Sequence, residues 1–340
     1  MTTPTRWALL LAALAPACAG SDHDTRSPAA PAAAQVLHVA LTVSSLDDAT
    51  AWFEQALSAQ PGSLAQLDAD TARWGRPVAA ARVRTLSLGH ERVVLLDPDG
   101  PALPGGAKVS NTAAFQHLAL VVGDIDARWA AIAPSIDPIS PVPQRIPDSN
   151  RAAAGIRAAY FRGPDAHALE LIHYPQDKGA ARWHVDGDRV LGIDHTAIGV
   201  ADTATSLAFW RDVLGLEVVG ESLNEGHEQA QLSGVPGARV HITALRGHAG
   251  LGVELLEYLE PGLVPGDAVV HPEGSAHAHT TVAVADLDAT VAAVREAESR
   301  LGVAVLSQEL APCIACDDDR RAAMVRDPDG HVVQLVQDRR

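Results

Sequence analysis

Little in this chain suits it to nucleic acid. Only 4% of its 340 residues are aromatic, 26 are Lys or Arg against 42 Asp or Glu, and the formal net charge is −16. Base stacking needs aromatic platforms and phosphate neutralisation needs clustered cations, so the composition argues against both routes. Cysteine is scarce: Cys18, Cys313 and Cys316 are the full set, and two sulfurs without other ligands close in sequence make a poor zinc site. The apolar run Trp7 to Ala17 is too short to span a bilayer. No G-x-S-x-G, P-loop or dinucleotide fingerprint follows a strand pattern, which leaves serine-hydrolase and nucleotide-dependent chemistry unsupported.

What the chain does have is a repeat. A histidine opens an alternating apolar stretch at His38, His117, His195 and His279, at intervals of about 80 residues. In each stretch one face carries Val, Leu, Ile or Thr, and the histidine falls on the other face beside small residues such as Ala40, Ala119, Ala197 and Ala283. Helical spacing follows over Leu46 to Leu57, Ile125 to Ile132, Thr203 to Leu214 and Leu287 to Leu301, with Asp47, Asp124, Asp202 and Asp286 in the helix-start region. Each unit then closes with short strands joined by tight turns, such as Gly163-Pro164-Asp165-Ala166 and Asp327-Pro328-Asp329-Gly330. The unit reads as strand, helix, then two or three strands.

Four such units, each with a leading histidine and a late polar position on its final strand, resemble the vicinal oxygen chelate superfamily. That group includes glyoxalase I, extradiol dioxygenases and the bleomycin-resistance proteins. The resemblance implies an α+β fold of four βαβββ modules paired into two half-open barrels. It gives a first domain over residues 36–178 (modules 36–110 and 114–178) and a second over 190–340 (modules 190–262 and 275–340). The closing strands align to place Val94, Glu170, Glu254 and Gln334 at the family's metal-ligand position. Pairing of neighbouring modules then implies two sets: His38, His117 and Glu170 in the first domain, with Val94 breaking the fourth position, and His195, Glu254, His279 and Gln334 in the second. His277 competes with His279 for the same role.

The resemblance further implies a divalent metal (Fe, Zn, Ni or Mn) and a small-molecule substrate. The second set fits a glyoxalase-like lyase or isomerase in which Glu254 moves a proton, because Gln334 is neutral and cannot be a base. The first set, two imidazoles and a carboxylate, fits an extradiol-type Fe(II) dioxygenase. A non-catalytic binding or resistance protein is the third reading, and tandem relatives that keep one working cleft make the other a scaffold. His173, Tyr174, His184, His227, Glu228, His241, His248 and Tyr258 fall where they could line a cleft or face solvent; Asn224 and Gln229 lie where the third module's second strand should begin.

The first 18 residues read as a signal peptide, and Leu14-Ala15-Pro16-Ala17-Cys18 resembles a bacterial lipobox, which would put lipid on Cys18. The Ala/Pro-rich stretch 19–35 then serves as a tether. The expectation is an exported protein, periplasmic or membrane-anchored, with membrane contact only through that lipid, acting as a monomer or homodimer. In such a compartment Cys313 and Cys316 are expected to form a small loop disulfide, and glutathione is a doubtful cosubstrate.

Overall fold

The computed structural model describes residues 34–100, 109–264, 272–274, 277–316 and 318–339. The proposed signal peptide, Cys18 and most of the expected tether lie outside them. Of the stretch read as a tether, Ala34 is fully buried and Gln35 already begins the first strand.

The first module runs β1 (Gln35–Thr42), α1 (Leu46–Leu57), β2 (Gln60–Leu67), β3 (Ala81–Leu88) and β4 (Glu91–Pro98). The second has β5 (Gln116–Val122), α2 (Ile125–Ile132), β6 (Arg157–Arg162) and β7 (Ala168–His173). The third has β8 (Val190–Val200), α3 (Thr203–Trp210), β9 (Glu217–Asn224), α4 (Gly226–Ser233), β10 (Arg239–Arg246) and β11 (Gly252–Glu260). The fourth has β12 (Ala278–Val284), α5 (Leu287–Leu301), β13 (Arg321–Arg326) and β14 (Val332–Gln337). The helices start where the acidic residues direct: Asp124, Asp202 and Asp286 cap α2, α3 and α5 by accepting from the backbone N–H three residues on. Ser45 takes that place for α1, and Asp47 sits in its first turn. One helix departs from expectation: the stretch read as the start of a strand around Gln229 is α4, closed by Gly234 in the left-handed region.

The modules do not pair in sequence order. One sheet joins the first and fourth modules in the order β13-β14-β12-β1-β4-β3-β2, and the other joins the third and second as β9-β10-β11-β8-β5-β7-β6. The seams are antiparallel pairings of leading strands: β1 with β12, where Ala40 faces His279, and β5 with β8, where His117 faces Ala197 and Ala119 faces His195. The expected combination of first with second and third with fourth is therefore corrected. Every leading strand carries the same pattern, so the sequence identifies the modules without specifying which free edge each one seeks.

Both sheets and all four modules contribute to one hydrophobic core, including Val39, Phe53, Leu118, Ile125, Ile198, Trp210, Val282 and Val294. Gln116 spans the two sheets within this region, donating to Thr196 Oγ1 at 3.0 Å and Thr280 Oγ1 at 3.2 Å. Modules that are neighbours in sequence meet across it instead, through turn histidines: His167 Nε2 lies 2.7 Å from the Thr42 carbonyl and His331 Nε2 lies 2.9 Å from that of Gly199. Each sheet turns its other face, the one carrying the leading histidines, away from this core.

Candidate metal centre

Within each module the leading strand lies parallel to the closing strand, and this register sets the site. Ala119 pairs with Glu170 and Ala197 with Glu254, so in the sheet of the second and third modules two histidines and two glutamates share one concave face. His117 Nε2 lies 3.0 Å and His195 Nε2 3.5 Å from Glu170 Oε2; His195 Nε2 is also 3.4 Å from Glu254 Oε2. Ligand atoms of His117, Glu170 and His195 all fall within 4.8 Å of one another. The predicted sets are thereby regrouped: His38 leaves the company of His117 and Glu170, and His279 and Gln334 leave that of His195 and Glu254.

These three residues are buried, whereas a quarter of the Glu254 side chain is exposed. The concave face opens to solvent on the Glu254 side. Neither ring nitrogen of His117 nor Nε2 of His195 has an aligned hydrogen-bond partner. Buried polar atoms left unpaired are costly, and a bound cation satisfies the two Nε2 atoms together. The spacings fit one too. Donor atoms about 2.1 Å from a shared ion stand about 3.0 Å apart at a right angle and about 3.4 Å apart at a tetrahedral angle. The residues fit a divalent metal, with two imidazoles and the Glu170 carboxylate as the compact donor set and Glu254 beside His195.

The electrostatics of the face favour positive charge. Burial opposes ionisation of Glu170, but the adjoining imidazoles of His117 and His195 outweigh it and hold the carboxyl at about 2. Burial likewise opposes a charge on His195, yet Glu254, Asp194 and Glu170 lift it well above the usual imidazole range. Glu254 moves up, chiefly through burial; His195 pulls it down and the charges of Glu170 and Asp194 push it further up. Apolar walls complete the face: Phe115 and Tyr160 set their rings 5.6 and 4.7 Å from that of His117.

The matching face of the first and fourth modules is filled. Val94 stands where Glu170 and Glu254 do, packed with Ala40, Trp74, Val83, Leu96, Ile314, Met324 and Val332. The Gln334 carboxamide is taken up: its Oε1 accepts from Ile314 N at 2.7 Å and its Nε2 donates to Thr281 Oγ1 at 3.0 Å. His277 and His279 contact each other at 3.1 Å under Trp74, and burial lowers both. His38 is buried on this same face. The segment carrying Ile314 is tied by a disulfide between Cys313 and Cys316. This half-barrel is packed as a core, and its Gln334 does not offer a free ligand oxygen.

The other residues singled out from sequence separate. His173, His184 and His248 bond backbone carbonyls, His241 is partly exposed between Glu221 and Glu257, and Tyr258 is core. Asn224, Glu228 and Gln229 line a small pocket of about 120 Å³ with Ile146, Asn150 and Glu225. His227 lies at a shallower, separate depression with Arg239. Sequence reasoning passed over Asp194 and Arg246, which touch the site from behind. The signal was present, since the third module alone has an acid immediately before its leading histidine.

Comparison with known proteins places these features. The model of the Glyoxalase/Bleomycin resistance protein/Dioxygenase superfamily matches residues 35–171 and 192–335. No curated protein matches the chain. Among solved structures, glyoxalase I from Zea mays is similar at 17% identity and a TM-score of 0.58, covering 89% of this chain and 92% of that one. A putative dioxygenase from Bacillus subtilis is similar at 13% identity and a TM-score of 0.54, covering 92% and 87%. At these identities the structures share the fold, and the family match over both halves identifies the chain as a member of the Glyoxalase/Bleomycin resistance protein/Dioxygenase superfamily.

Proposed function

We propose that the chain is a metal-dependent lyase or isomerase of glyoxalase type, working at one centre built from His117, Glu170, His195 and Glu254. The observation that carries this reading is the second carboxylate. Glu254 stands 3.4 Å from His195 Nε2 and is the member of the set open to solvent. A divalent ion there supplies Lewis-acid stabilisation to adjacent oxygens of a substrate. Glu254, pushed up by burial and by its acidic neighbours, is the residue that takes a proton from carbon alpha to a carbonyl and returns it. Phe115 and Tyr160 exclude water on the His117 side.

The pocket beside α4 belongs to the substrate in this reading. Ile146 lines it and also packs in the apolar cluster of Phe115 and Tyr160. Its lining offers Glu225 and Glu228, the Gln229 Oε1 that lacks a partner, and no cation. A substrate whose distal end donates hydrogen bonds suits it better than an anionic carrier such as glutathione.

The compact trio His117, Glu170 and His195 supports a second reading, an extradiol-type dioxygenase, because two imidazoles and one carboxylate suit Fe(II). Solvent-deuterium exchange into 2-oxoaldehyde and 2-hydroxyketone substrates, with Ni, Zn, Mn or Fe added, tests the first reading. We expect exchange that Glu254→Gln reduces by about 10²–10⁴-fold. Oxygen uptake with a catechol and Fe(II), unaccompanied by exchange, would favour the second. Stoichiometric metal with neither activity would leave a binding protein. We further propose export through the N-terminal 18 residues, with lipid on Cys18, which the intact mass of the mature protein tests.

A further inference from the structure

Asp194 gathers more hydrogen-bond donors than any side chain described above. His195 Nδ1 lies 3.0 Å from its Oδ2, Arg246 donates to the same oxygen at 2.6 Å and Tyr174 OH at 3.0 Å, and Trp183 Nε1 donates to Oδ1 at 3.2 Å. Arg246 also donates to the Asp194 backbone carbonyl at 3.0 Å. An ionised carboxylate has about four acceptor sites, and here four donors converge on it, three at Oδ2 and one at Oδ1. In the other modules Leu37, Gln116 and Ala278 occupy this place.

We infer that Asp194 is a positioning residue for the metal centre, holding His195 by its Nδ1 proton so that the lone pair a metal would uncover on Nε2, in place of its proton, faces Glu170 and Glu254. The inference rests on the proposed metal centre. A neutral imidazole carries one proton, and whichever nitrogen donates it leaves the other as ligand. His195 Nε2 faces two carboxylate oxygens at 3.5 and 3.4 Å and lacks an aligned partner, while Nδ1 has one.

The surrounding chain is shaped to this end. Gly252 pairs with His195 across β8 and β11. A Cβ on Gly252 would stand 2.9 Å from Arg246 Cζ and 3.1 Å from His195 Cβ, so the glycine leaves room for the guanidinium to reach Asp194. Trp183 belongs to the segment joining the second and third modules, and Arg182 stacks 3.8 Å over its ring while pairing with Glu91 of the first module. The link between modules is thus fastened to the same carboxylate that orients the ligand.

The test measures zinc affinity of the full chain by competition with a chromophoric chelator, beside thermal unfolding of the metal-free protein. Asp194→Asn is expected to weaken zinc about 10–100-fold, and Gly252→Ala to weaken it in the same direction. Histidine ¹⁵N shifts of the zinc-loaded native protein should show His195 protonated at Nδ1, a readout that needs no variant to fold. Unchanged zinc affinity in Asp194→Asn, or a proton on Nε2 of His195, overturns the inference while zinc lost in His117→Ala leaves the metal centre standing. A native chain that binds no zinc and no other divalent ion overturns both.

Discussion

His117 and His195 belong to different modules yet bring their Nε2 atoms to the same oxygen, Glu170 Oε2, at 3.0 and 3.5 Å. They do so because β5 and β8 run antiparallel, with each histidine opposite the other strand's alanine. The centre is therefore a property of a seam, and it disappears when the chain is divided between its sequence halves.

Residues 36–178 expressed alone hold His117 and Glu170 but lack His195, Glu254 and the strands that cover β1 and β5. Unpaired edges of this kind drive association. The half chain should self-associate and bind no stoichiometric zinc as a monomer, and limited proteolysis of the whole protein should leave one resistant core. Sedimentation and zinc titration check this. A monomeric half that binds one zinc would contradict it.

Much of this was legible in the sequence, and the pairing was not. Leading strands and helices follow local rules of period and capping, and the resemblance to the family then named Glu170, Glu254, His117 and His195 among the candidates. Which module pairs with which depends on four similar edges competing, and nothing local to His38 or His117 distinguishes their partners. Gln334 illustrates the other limit. Its position matches Glu170 and Glu254, but its role is set by the Ile314 backbone, which comes from a turn 20 residues away. Asp194 had a local signal, yet its meaning depends on Arg246 and Trp183 arriving from elsewhere.

Stability should depend on pH through the filled half-barrel. Burial, and then the charge of His167, hold buried His277 down to about 3. The unfolded chain takes up a proton on this ring near pH 6.5 while the native state stays neutral, so stability is complete above about 6.5 and declines as pH falls from there toward 3. Each such proton is worth about 1.4 kcal/mol per pH unit inside that window. Urea denaturation of metal-free protein at pH 7, 5.5 and 4 should show the decline, with a shallower slope in His277→Phe. An equal slope in both would contradict the assignment.

The α4 pocket should govern substrate affinity rather than chemistry. Gln229 is almost fully buried with its Oε1 unpartnered, and Asn150 donates to Asn224 Oδ1 at 2.7 Å beside it. Once a substrate turned over by the protein is in hand, Gln229→Ala should raise KM about tenfold and change kcat little, the pattern of lost uniform binding. Steady-state kinetics decide, and an unchanged KM would separate this pocket from the reaction.

The central claim is one metal centre per chain, in the half-barrel of the second and third modules. Elemental analysis of tag-free protein reconstituted anaerobically, beside His195→Ala and His279→Ala variants with folding checked by circular dichroism, tests it directly. The account predicts one divalent ion per native chain, none in His195→Ala, and one in folded His279→Ala. Metal retained by His195→Ala, or lost with His279→Ala, would contradict it.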